Sequence, residues 1–599
     1  MENIYNAIQN VYNMDKTTWQ EVLAELYNLI SKVENKFDLF ENKFGVLLGE
    51  EVTIELKKMY DDGSLASLIN DKLLKDINSK VDSVANNTFI NVKDFGANGN
   101  GVKQTIGEKF PNKTLDDIKL KYPTATDLKQ QVDDLAFKES IRYAILNNVK
   151  KIYIPKGVYY SAITTELPSN IEITGDGKDL TKIVSLAFKQ GTKEIERYSS
   201  VFSIYGTCDD DISYPAQGTF LTCSPRPFLE NSTFKKGSKY ISYKNTTDIN
   251  NLAKGDYIII REGAIDPHPC KSEFAEITSI DLNEKRIYLN KSIENSYSNT
   301  NTSLGYFWNY IAKGRGGNDH TNDIYGDGRN GSVPNVTTWE CAGFNKINLT
   351  ENIKISNLTI DASLESFSGY SIITRLCRNI KLDNVKILGE LSLLLYENLE
   401  CTECDFIGDK VTNGKGRYAF LGNGSSHGNF EKCNFYGIQI MIEEGIRDIT
   451  INNCLFNQDT RNIYLNGNRI SFENNTIFSN DSGLNIRATI NSSINNNVIE
   501  SQGTPIIIDK NFMESNGKDE TWLNSNCKEQ LEIEKKKGTI IENNRLTPLL
   551  SATGGIKQKN PYEIIINNNY IFSSATIIKE DEKCIYYGIN KNSNGTITE

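Results

Sequence analysis

The stretch FENNTI at residues 472–477 decides the fold, because its six-residue pattern recurs throughout the second half of the chain. Each copy has an apolar residue, a polar residue, Asn or a substitute, a fourth residue, any residue and a closing apolar residue. Most copies are 19 to 29 residues apart, and one 47-residue step holds either two units or one unit with an insertion at 510–538. The copies are ISNLTI (355–360), LDNVKI (382–387), CTECDF (401–406), FEKCNF (430–435), INNCLF (451–456), FENNTI (472–477), INNNVI (494–499), IENNRL (541–546) and INNNYI (566–571).

A repeat of this length predicts stacked units that bury their apolar edges on one another. Short strands with Asn at a tight bend favour a parallel β-helix, because Asn tolerates the left-handed backbone conformation. The Asn amides of successive turns, here called rungs, can then hydrogen-bond to each other. We therefore expect a mainly β protein, with the rungs and a C-terminal cap in residues 351–599.

The fourth position of the pattern is predicted to face the core. Its cysteines then act as small core residues, and a metal ladder is the alternative. Cys401 and Cys404 belong to one strand-and-bend segment, so they are not interpreted as a zinc-binding pair, and we expect no metal and no cofactor. The residues at this position are Leu358, Val385, Cys404, Cys433, Cys454, Asn475, Asn497, Asn544 and Asn569.

The segment before the repeats has its own order of motifs. FINVKDFGANGNGVKQT (89–105) is followed by the helix-like AFKESIRYAILNN, by KIYIPKGVYY (151–160) and by LPSNIEITGDG (167–177). This order resembles the opening signature of the pectate-lyase-like tailspike family, with Asn100 in place of Asp and the Asp-Asp pair displaced to Asp133-Asp134. The resemblance implies a right-handed β-helix whose cap and first rungs occupy residues 89–184. It also implies a phage tailspike that is a homotrimer, with its N-terminus attached to the virion.

Residues 1–50 carry an apolar seam with alternating steps of three and four residues, which is typical of a coiled coil. Phenylalanines at three seam positions favour a trimer, and an amphipathic helix folded onto its own domain is the alternative. Residues 51–88 are predicted to be a helical linker, and 57–83 resemble linkers in tail proteins of phages of Gram-positive bacteria. The seam comprises Trp19, Leu23, Leu26, Ile30, Val33, Phe37, Phe40, Phe44 and Leu47.

Composition and charge exclude several classes of protein. The net charge of −11 and the pI of about 5.2 argue against a broad basic surface for nucleic acid. The sequence shows no secretion-signal pattern at its start and no run of roughly 18 apolar residues. Its 11 cysteines lack the spacing of a disulfide scaffold, which indicates synthesis in a reducing cytoplasm. We expect a virion tail protein, made in the host and acting at the host surface, with tail or neck proteins as partners.

Residues 185–350 lack the repeat and are predicted to form an inserted β subdomain with Gly- and aromatic-rich loops. Trp308 and Trp339 suit either stacking on sugars or anchoring a long loop. Three aspartates offer hard oxygen ligands for a cation, but their spacing is not that of a calcium loop, so a solvated turn is favoured. They are Asp319, Asp323 and Asp327.

The strand before each Asn bend is predicted to point every second side chain outward. A strip of aromatic, Arg and carboxylate side chains along such a face suits an extended glycan, and an ordinary solvated face is the alternative. The first outward row is Arg375, Tyr396, Gly422, Glu443, Asn466, Arg487 and Asp509. The row beside it is Ile373, Leu394, Phe420, Met441, Tyr464, Asn485 and Ile507.

Cleavage of a glycosidic bond normally requires two carboxylates about 5 to 10 Å apart. Glu443 and Asp509 are expected to lie three rungs apart, about 14 Å, so a pair must come from two subunits or from inserted loops. A lyase would instead use a base beside Arg or a cation. The candidate catalytic residues are Glu443, His427, Arg487 and Asp509. The candidate glycan-binding residues are Arg375, Tyr396, Tyr464, Asn485, Trp308 and Trp339.

Three functions remain open at this point. The first is a trimeric phage tailspike that binds teichoic acid or capsule of a Gram-positive host and depolymerises it as a hydrolase or lyase. The second is an adhesive receptor-binding protein of the virion without turnover. The third is a secreted bacterial polysaccharide lyase or hydrolase, against which the stalk and the missing signal pattern argue.

Overall fold

The computed structural model shows a protein built mainly from β-strands, with a few short helices. The predicted coiled-coil stalk (1–50) and helical linker (51–88) lie outside the residues that the structure describes. None of the described helices is long and apolar enough to cross a membrane. The described residues are 89–186, 200–208, 226–227, 233–234, 236–262, 271–294, 297–298, 343–363, 370–408, 418–422, 425–442, 446–458, 463–508, 538–549, 555–558, 563–572, 577–579, 585–587, 590–592 and 597–598.

Parallel strands stack into a β-helix with three sheets, which confirms the predicted fold class. Sheet 1 contains Thr165–Glu166, Ser200–Tyr205, Tyr370–Arg375, Glu390–Leu394, Tyr418–Gly422, Gln439–Ile442, the first part of Ile463–Glu473, Leu484–Ile490, Ile506–Ile508, Ile556–Gln558 and Ile577–Lys579. Sheet 2 contains Phe89–Asn91, Lys151–Ile154, Glu172–Gly175, the first parts of Thr350–Asp361 and Cys377–Leu388, Tyr396–Thr402, Ser426–Glu431, Arg447–Asn452, the second part of Ile463–Glu473, Ser493–Asn495, Ile540–Glu542, Glu563–Asn567 and Ile585–Tyr587. Sheet 3 contains Gly157–Ser161, Thr181–Ser185, the second parts of Thr350–Asp361 and Cys377–Leu388, Asp405–Ile407, Asn434–Tyr436, Leu455–Gln458, Thr476–Ser479, Val498–Ser501, Arg545–Pro548, Tyr570–Ile571 and Asn590–Asn592, and the antiparallel Ile597–Thr598 pairs with the last of these.

The bend between sheets 2 and 3 has the left-handed backbone that the Asn pattern predicts. The third pattern position has φ between 53° and 56° in all nine copies. Amides of successive rungs bond as expected: Asn384 Nδ2 donates to Asn357 Oδ1 at 2.8 Å, and Asn568 Nδ2 donates to Asn543 Oδ1 at 2.7 Å. The ladder therefore satisfies polar groups at the bend.

The core is a continuous column of Ile, Leu and Phe side chains inside the β-helix. The Phe435 ring stacks between Phe406 and Phe456, with centroid distances of 4.9 and 4.7 Å. The fourth pattern position is buried in all nine copies, with at most 2% exposure, as predicted. Hydrogen bonds with the Cys404 and Cys454 thiols, together with burial, raise the pKa of the Cys433 thiol well above its usual range. This cysteine therefore stays a neutral thiol, which is the poor metal-binding form.

Helix Val132–Asn147 covers the N-terminal end of the β-helix and buries apolar residues against the first rungs. Asp133 lies in its first turn and accepts hydrogen bonds from the backbone N–H groups of Asn98 (2.7 Å) and Tyr160 (2.9 Å). This carboxylate therefore ties the cap segment to a strand of sheet 3. The remaining described helices are the 3₁₀-helices Val92–Phe95 and Thr246–Ile249 and the short α-helices Ile106–Lys109 and Leu115–Lys119.

An antiparallel sheet, here called the subdomain, is inserted between two β-helix strands and packs on the β-helix. Ile259 and Phe274 of the subdomain share an apolar cluster with Leu376 and Leu395, which lie at the turns between sheets 1 and 2. Its strands are Thr207–Cys208, Arg226–Pro227, Tyr240–Ser242, Tyr257–Glu262, Lys271–Asp281, Arg286–Leu289 and Gly343–Asn348, with the separate pair Thr233–Phe234 and Tyr297–Ser298.

Candidate functional site

The second predicted outward row on sheet 1 has the expected register from Phe420 to Ile507, but its first part is wrong. Leu394 pairs with Gly422 and not with Phe420, and Ile373 is fully buried. Phe420 pairs with Met441, Met441 with Tyr464, Tyr464 with Asn485, and Asn485 with Ile507. Tyr464, Asn485 and Ile507 alternate along their strands with buried core residues such as Leu465 and Ile486, so they lie on the outer side of the β-helix. The side chains of Phe420 and Met441 are not among the described ones. Tyr464 is half-buried.

Three candidate glycan-binding residues do not have the exposure that the sequence predicts. Tyr396 is wrong as an outward residue: it pairs with Cys377 in sheet 2 and is fully buried in the core, because the chain turns at Leu395 (φ 49°). Arg375 is 7% exposed, and its Nη1 donates to Thr374 O at 2.6 Å. Asn485 is 5% exposed although it belongs to the outer row.

Several predicted site residues lie outside the residues or side chains that the structure describes. Arg487 lies on the strand Leu484–Ile490, but its side chain is among the undescribed ones. Among the described residues, no group of three or more His, Cys, Asp or Glu is placed to hold a metal ion. The undescribed residues are Glu443, Asp509, Trp308, Trp339 and the aspartates Asp319, Asp323 and Asp327.

His427 is the predicted catalytic residue around which the structure assembles other ionisable groups. It lies at the start of a sheet-2 strand with φ 58°, and the next two rungs place Asp448 (φ 58°) and Arg469 (φ 58°) at the same position. The left-handed backbone at this position turns the three side chains to the same outer side, one rung apart. The fourth member, Glu294, comes from the subdomain. We call these four residues the His427 cluster.

Arg469 joins the two carboxylates of the His427 cluster. Its Nε and Nη2 donate to Asp448 Oδ1 and Oδ2 at 2.5 and 2.6 Å, and Nη2 also donates to Glu294 Oε2 at 2.8 Å. Asp448 Oδ2 and Glu294 Oε2 both accept a hydrogen bond from Arg469 Nη2. The distance between these two oxygens is therefore at most the sum of the two hydrogen-bond lengths. His427 Nε2 lies 3.8 Å from Asp448 Oδ2, and 47% of the His427 side chain is exposed.

The electrostatics of the His427 cluster keep Asp448 ionised. Partial burial acts to raise the pKa of Asp448, but the hydrogen bonds and charge of Arg469, with the charges of His427 and Arg447, lower it overall. The hydrogen bond to Asp448 likewise raises the pKa of Arg469, which stays charged. Arg447 is 2% exposed and binds the subdomain next to the His427 cluster. Its Nη1 donates to Ser272 O at 2.9 Å, and its Nε lies 3.4 Å from Glu294 Oε2.

The His427 cluster contains groups for acid–base chemistry, including two neighbouring carboxylates that the sequence analysis did not predict. An ionised carboxylate can act as a base or nucleophile, a half-exposed imidazole can transfer a proton, and an arginine can bind an anionic group. Asp448 and Glu294 are two neighbouring carboxylates, the kind of group that glycosidases use in pairs. Structural ion pairs also have this form, so the geometry alone does not assign turnover.

The protein is similar to known proteins in structure and not in sequence. No protein-family model matches the sequence, and no curated protein matches it. Similar solved structures include the tailspike protein gp49 from Pseudomonas phage LKA1 (15% identity, 84% of this chain and 79% of that chain, TM-score 0.48). The tailspike gp61 of Pseudomonas phage phi297 (13% identity, 82% and 78%, TM-score 0.44) and the A-module of the mannuronan C-5 epimerase AlgE6 from Azotobacter vinelandii (11% identity, 84% and 93%, TM-score 0.38) are also similar.

Sequence reasoning found His427 but missed its three partners. Asp448 and Arg469 follow His427 at steps of 21 residues, which equals the local length of one rung. This spacing predicts that the three side chains lie next to each other, because residues one rung apart stack in a β-helix. Glu294 had no such signal, since it reaches the site through the packing of the subdomain.

Proposed function

We propose that the protein is a tailspike-type appendage of a phage, which recognises a cell-surface polysaccharide of its host. The observation that carries this proposal is the outward row on sheet 1, whose register is unbroken from Phe420 to Ile507. The strands of this row repeat at about 4.8 Å, which suits a linear polymer with repeating units. The named tailspikes are consistent with this role, and one similar solved structure is a tailspike of an Acinetobacter baumannii phage in complex with capsular saccharide.

We propose further that the polymer is teichoic acid or capsule of a Gram-positive host and that the His427 cluster depolymerises it. In this mechanism Asp448 is the base or nucleophile, because its lowered pKa keeps it ionised. His427 transfers the proton to or from the sugar oxygen, and Arg469 binds an anionic group of the polymer.

A non-catalytic adhesin is the second candidate function, and one observation favours it. Asp448 receives two hydrogen bonds from Arg469, and Glu294 receives one from the same guanidinium. Carboxylates held in this way fasten the subdomain to the β-helix and are less available as a base. The adhesin would keep the row on sheet 1 as its binding face and lack turnover.

The assembly belongs to the proposal as well. Residues 1–50 are proposed to form a trimeric coiled-coil stalk that attaches to tail or neck proteins of the virion, and 51–88 a helical neck. Residues 89–184 would form the cap and first rungs, 185–350 the inserted subdomain and its loops, and 351–599 the remaining rungs and C-terminal cap. The alternating apolar seam of the first 50 residues supports this assignment.

The test is incubation of the full-length protein with purified teichoic acid and capsule from several Gram-positive hosts, followed by sizing of the polymer. A depolymerase shortens the chains, and Asp448→Asn and His427→Gln lose at least 100-fold of that activity. Asp481→Asn, a change at an exposed aspartate just after the sheet-3 strand Thr476–Ser479, serves as the matched control and keeps full activity. Tight binding without shortening supports the adhesin, and the absence of both overturns the proposed function.

A further inference from the structure

A second surface with binding chemistry lies near the C-terminal end of sheet 3, away from the His427 cluster. It is a shallow depression of about 360 Å³ at the bend between sheets 2 and 3. Its lining combines one cation, two aromatic rings and a set of amides, and it contains no acidic side chain. We call it the Arg545 platform; its residues are Asn543, Asn544, Arg545, Asn568, Tyr570 and Phe572.

The aromatic part of the Arg545 platform is open to a ligand. Tyr570 is 41% exposed and meets Phe572 edge-on, with ring centroids 4.5 Å apart and planes at 63°. The Arg545 guanidinium carbon lies 4.4 Å from the centre of the Phe572 ring. A planar guanidinium stacked on a ring is held in place while its N–H edge stays available, which lowers the entropy lost on binding an anion.

Arg545 carries a positive charge that no described carboxylate pairs with. It is exposed and forms no ion pair with any carboxylate of the described residues, although the total charge of the chain is −11. Glu500 on the preceding rung pairs with Thr547 and makes no ion pair with Arg545. A fixed arginine without a carboxylate partner suits a bidentate bond to a ligand carboxylate or phosphate.

The amides complete a polar edge beside the rings. Asn568 Nδ2 donates to Asn543 Oδ1, and Asn543 Nδ2 donates to Asn495 Oδ1 at 3.1 Å, so the bend ladder fixes the orientation of both side chains. Within the described residues Asn568 Oδ1 accepts no hydrogen bond, and Asn543 and Asn568 each donate only one N–H of the amide, whereas Asn544 donates both. Such groups can bind sugar hydroxyls, since an amide both donates and accepts.

We propose that the Arg545 platform is a second, non-catalytic binding site for an acidic saccharide, in which a sugar stacks on Tyr570 and its carboxylate or phosphate bonds to Arg545. The inference rests on the proposed function for the class of ligand but does not require the His427 cluster to turn over. A platform of this kind would hold the polymer while the rest of it lies along the β-helix.

The test compares Arg545→Gln with Arg286→Gln in the full-length protein. Arg286 is a matched control, because its guanidinium carbon also lies 4.4 Å from a ring centre, that of Tyr240, but Glu284 neutralises it. The probes are wall teichoic acid for phosphate, polygalacturonate for carboxylate and dextran as the neutral polymer, with affinity measured by affinity electrophoresis. We expect Arg545→Gln to weaken binding of at least one acidic probe about tenfold, the loss of one charge-assisted hydrogen bond.

Arg286→Gln should leave the affinities unchanged, and Phe572→Leu should weaken the same probe as Arg545→Gln. The two acidic probes distinguish a phosphate ligand from a carboxylate ligand. Equal effects of both arginine changes, or no effect of Arg545→Gln, would overturn the inference. Polymer shortening measured on the same variants separates the two proposals. If only the platform proposal is wrong, Arg545→Gln changes neither binding nor shortening. Asp448→Asn, in contrast, abolishes shortening and leaves binding at the Arg545 platform unchanged.

Discussion

At the scale of the residue, Asn497 shows how a side chain replaces backbone pairing inside the β-helix. It is fully buried, its Oδ1 accepts the backbone N–H of Asn475 at 2.9 Å, and its Nδ2 donates to Phe472 O and to Asn544 Oδ1. Asn544, Asn569 and Asn590 repeat these bonds in the next rungs. The column of amides therefore satisfies backbone groups that the bend leaves without a strand partner.

This bonding predicts a large effect for Asn497→Ala. The change leaves the Asn475 N–H and the Phe472 carbonyl buried without partners, so we expect the free energy of unfolding to fall by about 3 kcal/mol. Asn457→Ala, at an exposed position on sheet 3, is the control and should change it by less than about 0.5 kcal/mol. Urea denaturation of both variants measures the difference, and equal midpoints would show that the buried amides do not stabilise the fold.

At the scale of the element, the cap helix Val132–Asn147 carries a buried acid. Asp134 is fully buried, and burial raises its pKa to about 7, against the opposing hydrogen bond from the Ala162 N–H at 2.8 Å. The folded state thus holds this proton more tightly than the unfolded chain, whose Asp titrates near pH 4. The bound proton therefore contributes its full share to the free energy of unfolding below about pH 4, and this contribution is lost as the pH rises through about 7.

We therefore predict that the melting temperature falls between pH 5 and pH 8 and that Asp134→Asn reduces this fall. The upper bound on the effect is about 4 kcal/mol, from a pKa raised by about three units. Asp116→Asn in the exposed first turn of Leu115–Lys119 is the control and should keep the wild-type slope. Parallel melting curves for wild type and Asp134→Asn across this pH range would contradict the prediction.

At the scale of the whole molecule, polar contacts fasten the subdomain to one edge of the β-helix. Lys291 Nζ lies 2.7 Å from Glu397 Oε1, Arg378 Nη1 donates to Tyr257 OH at 3.0 Å, and Arg447 Nη1 donates to Ser272 O. Arg447 is the most buried of these cations, with 3% of its side chain exposed. Its bond to the strand Lys271–Asp281 therefore contributes more than an exposed ion pair does.

Arg447→Met should loosen the subdomain while the rungs stay intact. We expect a loss of about 2 kcal/mol, seen as faster amide hydrogen exchange in Lys271–Asp281 than in the sheet-1 strands. Lys381→Met, which removes an exposed pair with Glu400 at 2.8 Å, is the control and should cost at most about 1 kcal/mol. Unchanged exchange in Lys271–Asp281 would mean that apolar packing alone holds the subdomain.

The repeat pattern alone predicts the rungs, the left-handed Asn bends, the buried fourth position and the strand register of sheet 1 from Phe420 to Ile507. These features are local and repeat with each rung, so each copy of the pattern carries the same information about backbone and side-chain direction. The inward direction of Tyr396 and the burial of Asn485 follow only from the folded structure. It alone brought Glu294 to Asp448, because contact between the subdomain and the rungs depends on packing between distant segments and leaves no periodic trace in the sequence.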